Sequence, residues 1–154
     1  MGRYTATVSS ELGDGDFPGG KYSRAHSWAF DGGVIVPASA SPQIVPLPNS
    51  VAEAVDPEEA FVAALSSCHM LFFLSLAVAD GLVVSRYKDE ATGTLGKLPD
   101  GRLGMTEVVL RPEADYAGPV APDAGQIAQL HHAAHEQCFI ANSVVSELKV
   151  EIVR

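Results

Sequence analysis

Cys68 and Cys138 are the two cysteines of the chain, and they frame its chemistry. A thiolate can attack a peroxide oxygen, and a second thiol can capture the sulfenic acid that results. Two cysteines brought together are therefore the minimal peroxide-reducing unit. A thiol near its reference pKa of about 8.5 is mostly protonated at neutral pH, so attack calls for a neighbouring cation. Arg24 is a candidate for that cation and Glu58 for its carboxylate partner. A second chemistry is available to the same residues. His131 and His135, with Cys138 at the next helical turn, have zinc-ligand spacing, and Cys68 could complete the set. His69 directly follows Cys68. Each of these residues also has an ordinary structural reading. Buried thiols pack as small hydrophobes, Glu58 complements a helix dipole, Arg24 is a solvated strand residue, and His26 hydrogen-bonds at a partly buried surface. Trp28, Phe61, Met70, Phe72, Phe73 and Phe139 either line an apolar substrate site or form ordinary core.

Two helices must position the thiols. Asp56 to Asp80, DPEEAFVAALSSCHMLFFLSLAVAD, predicts one long apolar helix with Cys68 and His69 at its centre. Asp56 is a good N-cap, Pro57 fits the first helical position, Glu58 and Glu59 suit the positive helix end, and Gly81 closes it. A helix this apolar must be buried on almost all sides, and a chain of this size has little protein to wrap it. A partner subunit is the expected source of cover. Asp123 to Ala141 predicts the second helix, with Ile127, Leu130, Ala134, Cys138 and Ala141 at steps of three and four.

The remaining elements read as strands. Arg3 to Ser9, Tyr22 to Phe30 and Val34 to Ser39 alternate and form a meander, turning at Asp31-Gly32-Gly33. Tyr22, Arg24, His26, Trp28 and Phe30 share one face. Three prolines make Ser41 to Ser50 an extended connector. Val83 to Leu95 predicts a long strand, and Leu103 to Arg111 returns antiparallel after the Pro99-Asp100-Gly101 turn. Pro112 to Pro122 reads as an irregular connector and Ser146 to Val153 as the last strand. The expected class is α+β, in the order βββ-α-ββ-α-β, with mostly antiparallel strands.

Composition narrows the function. The chain of 154 residues is 47% hydrophobic and 19% charged, enough for one globular domain with a real core. A formal charge of −9 argues against nucleic acid and anionic membranes as partners. Ser66, Ser67, Cys68 and His69 interrupt the central helix and no basic cluster flanks it, which disfavours a membrane span. With no visible signal peptide and two cysteines, a reducing, cytoplasmic setting is expected.

DPEEAFVAALSSCH resembles the N-P-E…A-A…C segment of the OsmC/Ohr family, the osmotically inducible protein C and organic hydroperoxide resistance proteins. HEQCFIANSV resembles that family's second-cysteine segment. SRAHSWAFDGG and SCHMLFFL are more similar to an OsmC-like subgroup than to Ohr proper. The order of elements matches over essentially the whole chain, which implies a single OsmC-like domain over residues 1–154. The resemblance implies an intertwined homodimer of cysteine peroxidases with sites at the subunit interface and no metal or other cofactor. Cys68 matches the peroxidatic cysteine, Cys138 the resolving one, and Glu58 the motif glutamate. Arg24 is the nearest counterpart of the family arginine.

The implied function is a two-cysteine reductase of alkyl or lipid hydroperoxides, restored by a dithiol reductant such as the lipoyl groups that Ohr-type relatives use. A zinc protein and a non-enzymatic dimeric binding protein are the alternatives. Glu58 and Cys68 are ten residues apart on one helix, roughly 15 Å at about 1.5 Å per residue. Glu58 is therefore expected to serve the Cys68 of the other subunit, through antiparallel packing of the two central helices across a two-fold axis.

Overall fold

The structure, a computed structural model, describes residues 1–153. The chain divides into two compact units, Met1–Ala60 and the part from Phe61 onward. The order of elements is βββ-α-ββββ-α-β, a mixed α+β fold with two helices.

In the first unit, β1 (Ala6–Ser9), β2 (His26–Phe30) and β3 (Ile35–Ala38) form an antiparallel meander. Phe30 N–H donates to Val34 O at 3.0 Å across the turn, where Gly33 takes φ +84°, a conformation glycine reaches without strain. Each strand is shorter than its alternation predicts. Residues 22–25 leave the sheet because Arg24 N–H donates to Asn49 O at 2.7 Å. Arg24 thus precedes β2 rather than lying in it. The proline-rich connector is pinned at buried Ser39, whose Oγ accepts the Val51 N–H at 3.0 Å.

Helix α1 (Pro57–Ala79) has the boundaries its end residues predict. Asp56 Oδ1 accepts the Glu59 N–H at 2.8 Å and Glu59 Oε2 accepts the Asp56 N–H at 3.3 Å, a reciprocal capping box. Gly81 ends it at φ +71°. The expectation of all-round burial is corrected within the chain. One stripe, Leu65, His69, Phe73 and Ala77, is buried, while Leu71 and Val78 are 63% and 74% exposed. Steps of four residues place one helical face inward, and the rest of this apolar surface is left uncovered.

The second unit is built on a long antiparallel ribbon. The predicted strand Val83 to Leu95 is two strands, β4 (Val83–Asp89) and β5 (Thr92–Lys97). Its partner is likewise β6 (Leu103–Leu110) and β7 (Pro112–Ala117). Asp89 faces Pro112 and Thr92 faces Val109, so both sides of the break keep one register. The break has a chemical cause. Pro112 has no N–H to give, and the Arg111 N–H donates to the Asp89 carboxylate at 2.6 Å instead of to the ladder. Asp89 also accepts from Ser66 Oγ at 2.5 Å, which ties α1 to the ribbon. The irregular connector expected from Pro112 is therefore corrected to a strand through Ala117.

Helix α2 (Ala124–Gln137) is capped by Asp123, whose Oδ1 accepts the Gln126 N–H at 2.9 Å. It ends earlier than Ala141. Cys138 is the extended C-cap, and a short 3-10 turn follows at Ala141–Ser143. The last strand, β8 (Glu147–Val150), pairs parallel with β6. Two apolar clusters result. Leu65, Val108 and Leu110 form one, and Phe73, Ala77, Leu82, Leu130 and Ala134 form the other. His69 lies between Leu65 and Phe73 on the α1 stripe that joins them.

Candidate functional site

The two thiols come together on the α1–α2 side of the second unit. Cys68, near the middle of α1, is half-buried, while Cys138 is completely buried. The C-cap geometry places Cys138, because the chain leaves the helix there and its Sγ accepts the Ala141 N–H at 3.4 Å. Burial pushes the Cys138 thiol up to about 11, and a hydrogen bond with the adjacent Cys68 thiol adds to the rise. Cys138 is therefore held as a thiol at neutral pH, while Cys68 is the sulfur that solvent reaches. Both are free. Beside them Phe72 meets Phe139 edge-on, with ring centroids 5.0 Å apart. Phe73 is core, and Phe139 is 70% exposed.

The sequence-derived candidates Arg24, Glu58, Trp28 and His26 belong to the first unit. Arg24 belongs to the first unit, where its guanidinium donates to Tyr22 O at 2.5 Å and Gly20 O at 3.3 Å and sits 3.5 Å over the Tyr22 ring. Glu58, in the first turn of α1, is half-buried and makes no ion pair or side-chain hydrogen bond among the described residues. Trp28 is in β2, 6.0 Å from the His26 ring. His26 is half-buried, with Nδ1 2.8 Å from Arg24 O.

Sequence reasoning missed a buried imidazole pair. His69 is fully buried and His131 is 3% exposed, and His69 Nε2 lies 2.9 Å from His131 Nδ1. The rings are parallel to 1° with centroids 5.3 Å apart, an edge-to-edge hydrogen bond rather than a stack. His131 stacks its face on Phe73 at 4.2 Å. The available signal was the four-residue step Leu65, His69, Phe73, Ala77, which puts His69 on the core stripe. Burial lowers both imidazoles to about 4, the larger effect in each case. His69 is further tuned by Asp89, which raises it, and His135, which lowers it. His69 opposes protonation of His131. This pairing also bears on the zinc alternative. His131 Nδ1 is turned to His69, and no three His, Cys, Asp or Glu side chains among the described residues form a set that could hold a metal ion.

The sequence matches the family model described as OsmC-like protein over residues 50–153. Among curated proteins none matches. The structure superposes on an OsmC-like protein of unknown function from Vibrio cholerae with a TM-score of 0.97 and 51% identity, covering 99% of this chain and 100% of that one. It also resembles an organic hydroperoxide resistance protein from Elizabethkingia anophelis, with a TM-score of 0.70, 18% identity and coverage of 99% and 94%. The organic hydroperoxide resistance protein OhrB of Bacillus subtilis gives a TM-score of 0.65, 22% identity and coverage of 97% and 98%. At these last identities the likeness is one of fold.

The imidazole pair sets a pH dependence. Both rings stay neutral in the fold down to about 4 and take up protons near 6.5 when unfolded. Between these values the unfolded chain binds more protons, so stability is full above pH 6.5 and falls as the pH drops toward 4. Urea unfolding at fixed protein concentration is expected to lose up to about two protons' worth of pH slope in the His69→Leu/His131→Phe double variant. Identical pH profiles for the two proteins would show that the pair is not buried neutral.

Proposed function

Since the chain belongs to the OsmC-like protein family, we propose that it is a thiol peroxidase that reduces alkyl or lipid hydroperoxides to alcohols. The observation that carries this reading is the asymmetry of the two thiols. Cys68 is reachable, and the adjacent Cys138 is sealed and held protonated. That arrangement suits a division of labour. The Cys68 thiolate attacks the outer peroxide oxygen, the O–O bond breaks, and the alkoxide leaves as alcohol after taking a proton. Cys68 is then a sulfenic acid. The Cys138 sulfur attacks it, an S–S bond forms, and the thiol proton leaves with the hydroxyl as water. A dithiol then reduces the disulfide and is itself oxidised. The name of the Elizabethkingia protein, organic hydroperoxide resistance, supports peroxides of this class as substrates. The aromatic pair Phe72 and Phe139 near the thiols favours an apolar substituent on the peroxide.

The reading includes a cytoplasmic homodimer with a single OsmC-like domain per chain. The support is α1, an almost wholly apolar helix that buries one stripe within the chain and leaves side chains such as Leu71 and Val78 exposed. A second copy packed against this face would remove its apolar surface from water. Each site would then combine Cys68 and Cys138 of one chain with Glu58 of the other, and Arg24 would orient the thiolate. A lipoyl-type dithiol is the proposed reductant.

Turnover of cumene hydroperoxide with a dithiol should vanish in Cys68→Ser. In Cys138→Ser, Cys68 should accumulate as sulfenic or sulfinic acid. Full turnover by either variant would remove the two-cysteine mechanism.

Sharing between subunits is tested by a verified heterodimer of Cys68→Ser and Glu58→Ala chains. One of its sites keeps both residues if the site is shared, so about half the wild-type activity is expected from simple mass balance over two sites. Near-zero activity, with both parent homodimers folded and inactive, would place Glu58 in its own chain's site.

A further inference from the structure

A second candidate site lies in the unit from Phe61 onward, away from the cysteines. A pocket of about 390 Å³ opens between β7, α2 and the segment after β8. Its size falls within the roughly 300–1,000 Å³ of small-molecule sites, and is far more than the roughly 30 Å³ of one water. Ile127, Ala128, Ile152 and Val153 give it apolar walls. Neither Cys68 nor Cys138 lines it.

Two polar side chains, Tyr116 and His131, line this pocket. The Tyr116 hydroxyl is buried and has no hydrogen-bond partner among the described residues. His131 is 3% exposed and lines the pocket, with Nδ1 committed to His69. Its remaining nitrogen, Nε2, is the one left for a ligand. The tautomer follows from the other end of the pair. His69 Nδ1 is buried and has no partner among the described residues, and an orphaned N–H is rarer in proteins than an under-satisfied acceptor. The shared proton therefore belongs on His69 Nε2, which donates to His131 Nδ1. His131 then carries its own proton on Nε2 and presents a donor to the pocket. A buried hydroxyl left unpaired is destabilising, and a ligand acceptor would satisfy it.

The charges exclude ionic ligands. Glu113 and Asp115 line the pocket, but Arg86 pairs with both, at 2.5 and 2.6 Å. One guanidinium offsets only one of the two carboxylate charges, so the cluster repels an anion. A cation would face the His131 N–H. We propose that this pocket binds a small uncharged molecule with a hydrogen-bond acceptor, such as a carbonyl or ether oxygen, on an apolar body, held by His131 Nε2–H and the Tyr116 hydroxyl.

Acetophenone is the probe, and ethylbenzene, which lacks the acceptor, is its control. The protein is the full-length Cys68→Ser chain labelled with ¹⁵N-histidine, so the result is independent of any peroxidase activity. Long-range proton–nitrogen NMR should show His131 protonated on Nε2 and a saturable shift of its ring nitrogens with acetophenone. Ethylbenzene should bind about tenfold more weakly, the equivalent of one modest hydrogen bond. Ala128→Phe, which fills the pocket from the exposed side of α2, should abolish the shift. Tyr116→Phe should weaken binding and keep the fold, whether or not the Ala128 variant is stable. The absence of a saturable shift, equal binding of ethylbenzene, or binding untouched by Tyr116→Phe would overturn the proposal.

Discussion

The second unit depends on the seam where α1 meets α2. Along it four residues of α1 have counterparts on or just beyond α2. Cys68 meets Cys138, His69 meets His131, Phe72 meets Phe139, and Phe73 stacks on His131. Two polar pairs and two aromatic contacts fix one register between helices that apolar packing alone would leave free to slide. Asp89 holds the same helix from the other side by accepting from Ser66 while it breaks the β4–β5 strand. The position of Cys68 is thus set by neighbours on both sides of it in sequence.

That seam also explains how one fold can keep two thiols unequal. Cys138 gains its burial from the cap, where the chain turns out of α2 and packs back through the Ala141–Ser143 turn. Cys68 sits one step off the buried stripe and stays half-open. The helical period alone separates the fully buried His69 from its reachable neighbour, since adjacent helical residues point about 100° apart. A reachable sulfur beside a sealed one, held by a rigid seam, is the geometric basis of the proposed peroxide chemistry.

How much of this could be read from the chain depended on the range of the cause. The ends of α1 were legible because Asp56, Glu59 and Gly81 act within a few residues. The pairing of Cys68 with Cys138 was legible as a possibility, since each cysteine lies at a helix. The C-cap position of Cys138 was not, because helical spacing continues through Ala141 while the backbone does not. Strand β7 was hidden by Pro112, which reads as a stop signal and is in fact the first residue of a strand in the ribbon's register. Arg24 fell out of β2 because Asn49, far along the chain, takes its N–H. The sequence puts His69 on a buried helix and His131 at zinc-ligand spacing, but nothing local in it pairs the two imidazoles. The buried pair becomes legible only when both helices are in place.

The central claim is that Cys68 and Cys138 act as one redox unit. It is tested most directly by treating the fully reduced wild-type protein with one equivalent of cumene hydroperoxide per chain, with no reductant present. Intact-mass and peptide analysis then follow. The account predicts loss of both thiols and of two hydrogens per chain, with a Cys68–Cys138 peptide crosslink and one equivalent of cumyl alcohol. A chain that instead gains oxygen while Cys138 remains a free thiol, or that leaves both thiols and the peroxide unchanged, would contradict it.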